Sequence, residues 1–187
     1  HQAHSEIRKP KMQPTSNRPI SLLPALSKVF ESLIHHVLGK FLTERQILQD
    51  EQFGFRKKHS TTHQLMRIVE DCHRGFPVGA KTAIIFLDVE KAFDKLWIKG
   101  LINKCASHDM PDWMMLIIQD FLSERKFVVQ VNHSFSDAKG IKAGLPHGNV
   151  LAPTLFNIYM ADLKVSTPSK LALYADDAAI YMQHCMD

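Results

Sequence analysis

Several stretches of the chain repeat apolar residues at every third or fourth position, the spacing of one face of an α-helix. The longest stretch predicts a helix over residues 22–42, whose apolar stripe is Leu22, Leu26, Val29, Leu33, Val37 and Phe41. Ser60, Thr61 or Thr62 can cap a second helix. The stripe of this second helix is Leu65, Ile68, Val69 and Cys72. Three more helices are predicted over residues 95–107, 111–122 and 151–163.

Other stretches are continuously apolar and rich in β-prone residues, a pattern typical of buried strands. Residues 81–87 predict a central strand buried on both faces. Residues 127–131 predict another strand, with residues 136–142 as its hairpin partner. Two short apolar runs, residues 170–173 and 178–182, flank Tyr174-Ala175-Asp176-Asp177 and predict a hairpin with carboxylates at its tip. Helices that alternate with hairpins indicate an α+β fold.

The remaining segments have no period. Residues 1–17 contain Pro10 and Pro14 and predict a loose N-terminal arm, and residues 49–60 predict a loop or short hairpin. The chain has no run of 18 apolar residues, so we expect no membrane span. It also lacks an initiator Met and a signal-peptide core, and we therefore expect a fragment of a longer protein.

Composition and charge narrow the class of protein. The chain has 187 residues, 45% of them hydrophobic, and a formal net charge of +4. Residues 1–75 carry 12 Lys and Arg against 7 Asp and Glu, whereas the remaining residues carry 11 against 12. A basic half beside an acidic half suits a protein that holds phosphates with one part and cations with the other, although ordinary surface charge also explains it. The three cysteines lie far apart, which argues against disulfides or zinc and for an intracellular, nuclear or cytoplasmic location.

Three carboxylates are the candidate chemistry. Asp88 directly follows the apolar run 81–87, and Asp176 and Asp177 occupy the predicted hairpin tip. If both sheet elements end at the same edge, the three acids converge there. Oxygen-only ligands suit Mg²⁺, and two such ions activate the attacking oxygen and stabilise the leaving one in phosphoryl transfer. Adjacent Asp residues are also common in solvated turns, so the tetrapeptide alone leaves this reading open.

Five motifs resemble a known family. Residues 88–94, 143–148 and 174–177 are similar to three successive palm motifs of reverse transcriptases. Upstream, Arg18-Pro19-Ile20-Ser21-Leu22-Leu23 and Gln52-Phe53-Gly54-Phe55-Arg56 through His59-Ser60-Thr61 resemble the finger motifs of non-LTR (LINE-type) retrotransposons. The resemblance is to jockey-like elements and runs over residues 18–182.

This resemblance implies a fold and an activity. Residues 18–187 would form the fingers and partial palm of a right-hand polymerase, with an antiparallel palm sheet, packed helices and no thumb. The implied activity is Mg²⁺-dependent, RNA-directed DNA synthesis on an RNA template with a DNA primer and deoxynucleoside triphosphates. The family continues with a further palm helix and strand, a primer grip and a thumb, which are missing here with the rest of the element polyprotein. We therefore expect one face of the sheet to expose apolar side chains. We also expect these 187 residues alone to be aggregation-prone and to show no processive DNA synthesis.

The resemblance also implies residue roles. The positions matching Asp88 and Asp176 hold two Mg²⁺ ions, for which Mn²⁺ is a possible substitute, and Asp177 supports them as a third candidate ligand. Phe93 matches an aromatic plate beneath the incoming sugar that selects deoxyribose, or else it is a core residue. Arg56 matches a finger residue that contacts the triphosphate, or else belongs to a solvated run of charges.

The chain departs from the family in one loop. His147 stands where Gln is usual and Asn149 where Ser is usual, next to Gly148, in the loop that the family sets against the nucleotide. His147 and Gly148 are therefore candidate substrate contacts, while Asp94 is expected to cap the helix that begins at Lys95. The departures keep a second hypothesis open, a catalytically inactive remnant that only binds nucleic acid. Another palm-type nucleotidyl transferase, such as a cyclase, is a third.

Overall fold

The protein was analysed as a computed structural model that describes residue 21, residues 24–131 and residues 134–185. The expected N-terminal arm and the predicted helix start at Leu22 lie outside these residues. Along the described chain the elements follow in this order: α1 (Ala25–Glu44), α2 (Thr61–Gly75), a 3₁₀ turn (Phe76–Val78), β1 (Ala80–Leu87), α3 (Ala92–Lys95), α4 (Ile98–Ser107), α5 (Asp112–Leu122), β2 (Lys126–Phe127), β3 (Gln130–Val131), β4 (Ser134–Phe135), β5 (Lys139–Gly140), α6 (Leu151–Met160), β6 (Lys170–Tyr174) and β7 (Asp177–Cys185).

An antiparallel sheet of order β1-β7-β6 lies beside the helices, so the α+β prediction is confirmed. β7 is the central strand because its nine residues pair with β6 through a tight turn and with β1 along eight positions. The prediction that residues 81–87 form a central strand buried on both faces is therefore wrong. β1 is an edge strand of the described sheet, and Ile85 and Phe86 are 62% and 77% exposed. Apolar side chains are thus exposed on the sheet, as expected, but these two are consecutive and lie on opposite faces rather than on one.

The main core lies between α1, α4, α5 and α6. α6 is its centre, with seven of its ten residues buried, among them Leu155 and Ile158. Leu38 from α1, Leu101 from α4 and Ile118 from α5 pack around it. The predicted helices over 111–122 and 151–163 are confirmed to within a few residues, and the one over 95–107 is observed as α4 preceded by the short α3. Among the described residues, no helix is long and apolar enough to cross a membrane.

α1 is a helix as predicted, but it buries a different face. Ile34, Leu38 and Leu42 face the core, whereas most of the predicted stripe, including Leu26 and Leu33, is exposed. The helix carries apolar residues around most of its circumference, so the 3.6-residue period fits two adjacent faces equally well. Contact with α6 selects between them.

α2 begins where predicted, because the Ser60 hydroxyl accepts a hydrogen bond from the backbone N–H of His63. Its predicted apolar stripe is only partly confirmed, because Ile68 packs against the sheet whereas Leu65 and Val69 are mostly exposed. The polar residues Gln64 and Asp71 are buried instead. The reason is that α2 packs across the sheet, against both β1 and β6, and the carbonyls of β6, the other edge strand, need donors. Gln64 Nε2 donates to Leu173 O at 3.0 Å, so a polar face of the helix covers the sheet edge.

The predicted hairpin over residues 127–142 is present in interrupted form. β2 pairs with β5 and β3 with β4, two residues each. Between the two pairs, the Ser136 hydroxyl accepts from the backbone N–H of Val129 at 2.9 Å, which replaces a ladder bond with a side-chain bond. The segment connects α5 to the loop before α6.

Candidate functional site

The pairing register of β1 with β7 brings the candidate carboxylates together. The ladder ends at the pair Leu87–Ala178, so Asp88 follows β1 at the level where β7 begins with Asp177, near enough for its charge to act on that carboxyl. On the other side of β7, Tyr174 pairs with Asp177, and Ala175 and Asp176 form the two-residue turn between the strands. Directly opposed residues of an antiparallel pair point to the same face of the sheet. Asp88 and the hairpin tip therefore share one end of the sheet, although their catalytic role stays a prediction.

The electrostatics agree with this geometry. Burial, followed by the negative charges of Asp176 and Asp88, raises the pKa of Asp177. A raised carboxyl pKa means that the ionised form is less favourable in the folded chain than in the unfolded one. The three acids thus form a repulsive group at the end of the sheet.

A hard divalent cation is the partner that such a group favours. Its oxygen-only donor set fits Mg²⁺, which is bound in proteins by one or two carboxylates together with water and phosphate oxygens. Nowhere in the described residues do three or more His, Cys, Asp and Glu side chains stand ready-arranged around a metal position. The three acids therefore share one end of the sheet without forming a ready-made metal site, and Asp88, Asp176 and Asp177 are the residues that would hold the ions.

The turn is held from outside the sheet, by residues whose role the sequence did not reveal. The segment before Gly54 runs beside β6, with Phe53 N donating to Leu173 O and Leu173 N donating to Glu51 O, both at 2.9 Å. A Cβ on Gly54 would lie 2.0 Å from Ala175 N, so only glycine allows this approach of backbone to backbone. The buried Gln52 side chain hydrogen-bonds the Ala175 peptide. The motif containing Gln52 was recognised, but no periodicity or spacing pointed to this contact.

Of the two interpretations of Phe93, a core residue or an aromatic plate beneath the sugar, the structure supports the first on one side of the ring. Its ring stacks on Phe156 of α6, with centroids 4.7 Å apart and planes 13° apart, and meets the edge of Phe55 at 6.1 Å. It is half-buried and packs against the core. On another side, the His147 ring lies 6.0 Å away. The core thus fixes the orientation of the ring, and contact with a sugar stays a prediction.

His147 is bound to a carboxylate of the same chain. His147 Nε2 lies 2.7 Å from Asp94 Oδ1, and both side chains are about two-thirds buried. The expectation that Asp94 caps a helix beginning at Lys95 is wrong. Asp94 lies inside α3, whose N-cap is Lys91 without a side-chain hydrogen bond. The four-residue α3 places Asp94 on the side that faces the loop containing His147.

This loop packs closely on α3. Gly144 has a φ of +78°, and a Cβ there would lie 2.4 Å from Asp94 O, so glycine is required on both counts. Leu145 N donates to Phe93 O at 2.7 Å, and Arg125 donates to Gly144 O at 2.6 Å. Gly148 also has a positive φ, of +84°, but stands in open space with an exposed backbone. The loop therefore holds His147 rigidly and leaves Gly148 accessible to a ligand.

Arg56 is engaged within the protein. Its Nη1 donates to Gln49 O at 2.7 Å and to Gln52 O at 3.1 Å, so the guanidinium braces the loop that carries Gln52. Lys57 and Lys58 next to it are exposed. Contact of Arg56 with a triphosphate stays a prediction, and the structure adds a second role for this side chain.

Comparison with known proteins adds two kinds of likeness. The family described as "Reverse transcriptase (RNA-dependent DNA polymerase)" matches residues 7–186. The chain is 40% identical over 186 residues to the probable RNA-directed DNA polymerase from transposon BS of Drosophila melanogaster, covering 95% of this chain and 20% of that protein. It is 39% identical over 181 residues to the RNA-directed DNA polymerase from mobile element jockey of the same species, covering 88% and 19%. The chain thus spans about a fifth of the length of these relatives.

Solved structures share the fold at low sequence identity. Apo telomerase from Candida tropicalis superposes with a TM-score of 0.63 at 13% identity, covering 81% of this chain and 31% of that one. Telomerase from the same organism in complex with a TWJ fragment of telomeric RNA gives a TM-score of 0.61 at 13% identity, covering 86% and 29%. At such identity the likeness concerns the arrangement of helices and strands alone.

Proposed function

This chain belongs to the reverse transcriptase family, and we propose that it forms the metal-binding part of an RNA-directed DNA polymerase encoded by a jockey-like mobile element. One observation supports the site above all others: the β1–β7 register places Asp88 across from the Asp176-Asp177 turn. Acids that are 88 positions apart in the chain lie together at one end of the sheet, where they repel one another. A site built for cations explains this arrangement.

In the proposed mechanism, Asp88, Asp176 and Asp177 would hold two Mg²⁺ ions. Ions held there would supply Lewis acidity, which would lower the pKa of a primer 3′-hydroxyl and offset the negative charge of the incoming triphosphate. The carboxylates contribute orientation, because each is attached to a strand end whose position the sheet determines. Their mutual repulsion in the free chain also favours cation binding, since binding relieves it.

Phe93 would form the floor of the nucleotide site. The stack on Phe156 holds the ring in one orientation, and a flat ring beneath the sugar leaves no space for a 2′-hydroxyl and offers it no hydrogen-bond partner. His147 and Gly148 would line the side of the same cleft, with His147 tied to Asp94 and Gly148 open to the ligand. Deoxynucleoside triphosphates would thus be selected by shape.

The finer architecture that we propose is that of fingers and palm. The sheet with α3 to α6 would be the palm, while α1, the loop over residues 49–60 and α2 would belong to the fingers. The telomerase likeness supports the overall arrangement. The basic first 75 residues would contact the RNA template and DNA primer, and the remainder of the longer polyprotein, about four-fifths of the relatives' length, would complete the enzyme.

Nucleotide addition tests the proposal. The chain is incubated with an RNA template, a DNA primer and one complementary deoxynucleotide, with Mg²⁺ or Mn²⁺, and single additions are resolved on a gel. We expect metal-dependent addition that Asp88→Asn and Asp176→Asn each abolish. Asp120→Asn, which changes an exposed acid on α5, is the matched control and should retain the wild-type rate.

The alternative function is nucleic-acid binding without catalysis, and His147 and the exposed β1 side chains favour it. A non-catalytic remnant would bind the template–primer duplex in a salt-sensitive manner without adding a nucleotide under either metal. Equal binding by wild type and the two Asp variants, together with no addition by any of them, would establish this alternative and reject the polymerase proposal for this chain.

A further inference from the structure

The turn that presents Asp176 contains a residue in an unfavourable conformation. Ala175 has a φ of +59°, in the left-handed region, although it is neither Gly nor Asn. Such a conformation persists only where surrounding contacts determine it. Ala175 is also buried, so water does not satisfy its peptide groups and the contacts must come from the protein.

The two-residue hairpin contributes, since its favoured turns have a positive φ at this position. The peptide groups of Ala175 are in addition held by one side chain. Gln52 is 2% exposed. Its Oε1 accepts from Ala175 N at 2.9 Å and from Gly54 N at 2.8 Å, and its Nε2 donates to Ala175 O at 3.1 Å. A carboxamide is required here, because only it offers an acceptor with two lone pairs and a donor on one planar group. Leucine has neither group, and ionised glutamate lacks the donor.

The Gln52 side chain is itself anchored. Phe53 and Leu173 link its segment to β6, as described above, and Asn157 Nδ2 on α6 donates to Gly54 O at 2.9 Å. A chain of hydrogen bonds therefore connects α6 of the helical core to the Ala175 peptide through Gly54 and Gln52. The β6–β7 turn is connected to the core by this route as well as through its own strands.

We propose that Gln52 is a positioning residue for the polymerase site: it holds Ala175 in its left-handed conformation and thereby sets where the Asp176 carboxylate stands relative to Asp88. The inference rests on the proposed function for its metal-binding consequence. Its structural part, that Gln52 determines the conformation of the turn, stands on the hydrogen bonds alone. Gln52 is not among the residues proposed to hold metal or nucleotide, and it acts through its hydrogen bonds to Ala175.

Amide hydrogen exchange tests the structural part. In Gln52→Leu, the Ala175 amide loses its acceptor, and we expect its exchange to accelerate by about tenfold or more, since local opening then exposes it. The matched control is Gln64→Leu, which removes another buried carboxamide that donates to Leu173 O and Glu51 O but does not reach the turn. That control should leave Ala175 exchange within about twofold of wild type.

Metal affinity tests the functional part without any assay of synthesis. Mn²⁺ binding is followed by electron paramagnetic resonance, and Gln52→Leu should raise the Mn²⁺ dissociation constant by about 10–100-fold, the effect typical of residues that orient metal ligands. Ala175→Gly added to Gln52→Leu should recover part of the affinity, because glycine adopts a positive φ without strain. A residue with a general stability role would not be rescued at this one backbone position.

The exchange rates and the Mn²⁺ affinities together decide whether the inference stands. Unchanged exchange at Ala175, or unchanged Mn²⁺ affinity despite faster exchange, would overturn the inference, as would an equal loss of affinity in Gln64→Leu. If circular dichroism shows that Gln52→Leu does not fold, Gln52→Met takes its place, since it keeps the length of the side chain but lacks both the amide donor and the amide acceptor. A wild-type chain that bound no Mn²⁺ would reject the proposed metal site instead, while the exchange rates would still decide whether Gln52 holds the turn.

Discussion

Removal of the Tyr181 hydroxyl should destabilise the protein, because this buried group joins the central strand to α2. Tyr181 is 2% exposed, and its Oη donates to Asp71 Oδ2 at 2.7 Å. A hydrogen bond to a charged acceptor contributes about 1.5–3 kcal/mol. Tyr181→Phe keeps the ring and its packing, so we expect the free energy of unfolding to fall by about that amount, out of a typical 5–15 kcal/mol.

The stability lost in Tyr181→Phe should depend on pH, in the acidic range through Asp71 and in the alkaline range through Tyr181. Burial alone would raise the pKa of Asp71, but hydrogen bonds from Tyr181 and Lys170 outweigh it and lower that pKa below its ordinary value. The stabilisation is therefore present above the unfolded-state pKa, near 4, and is lost as the pH falls through the folded-state pKa. Burial, followed by the bond to Asp71, raises the pKa of Tyr181 to about 12. Between pH 10 and about 12 the wild type loses stability as the unfolded tyrosine ionises, and Tyr181→Phe does not.

Urea unfolding followed by far-ultraviolet circular dichroism measures these differences at pH 3, 7 and 11. The control is Tyr159→Phe, which keeps the ring that Lys104 covers at 4.5 Å and should change stability by less than about 0.5 kcal/mol. The reasoning would be refuted if Tyr181→Phe cost no more than this control at pH 7. A loss that is the same at all three pH values would equally refute it, since the bond would then not involve the Asp71 carboxylate.

Four more substitutions test other parts of the structure. Asp177→Asn should raise the melting temperature near neutral pH, because it removes the repulsion between the acids. Since the pKa of Asp177 is raised, this gain should vanish as the pH falls and the wild-type carboxyl is protonated. A lower melting temperature of the variant at pH 7 would contradict the prediction. Gly54→Ala, with its Cβ 2.0 Å from Ala175 N, should cost about 1–3 kcal/mol in urea unfolding through forced backbone shifts, and a neutral result would show that the loop gives way freely. In a polymerase that contains the complete element protein, Phe93→Val should admit ribonucleotides while deoxynucleotide use is largely kept, whereas unfolding without a change of sugar preference would make the ring purely structural. In the same protein, His147→Gln should raise the single-turnover rate of incorporation, and a loss would show that the bond to Asp94 has adapted this chain to histidine.

Local features of the fold were predictable from the sequence because neighbouring residues determine them. Ser60 caps α2, Pro111 precedes α5, and the apolar runs around Tyr174-Ala175-Asp176-Asp177 form a hairpin. The faces of the helices were not predictable. α1 has apolar residues on more than one face, and α2 buries Gln64 and Asp71 because the edge of β6 and the hydroxyl of Tyr181 need polar partners.

In the candidate site, too, local features were predictable from the sequence and long-range contacts were not. The carboxylates and Phe93 could be named from their motifs, because residue type and order carry that information. The bond of His147 to Asp94 and the grip of Gln52 on Ala175 join residues 53 and 123 positions apart. Hydrogen bonds at such separations leave no periodic trace in a single sequence, so only coordinates reveal them.

By itself, the sequence determined the family, the α+β class and the identity of the three acids, since these follow from residue types and local order. Only the tertiary structure decided that β7 rather than β1 is the central strand of the described sheet, that Asp88 lies at the same end of the sheet as the β6–β7 turn, and that the Gln52 side chain hydrogen-bonds the Ala175 peptide of that turn. The physical reason is that strand pairing and buried hydrogen bonds depend on which segments meet when the chain closes on its core. That choice minimises the free energy of the whole fold rather than of any one segment.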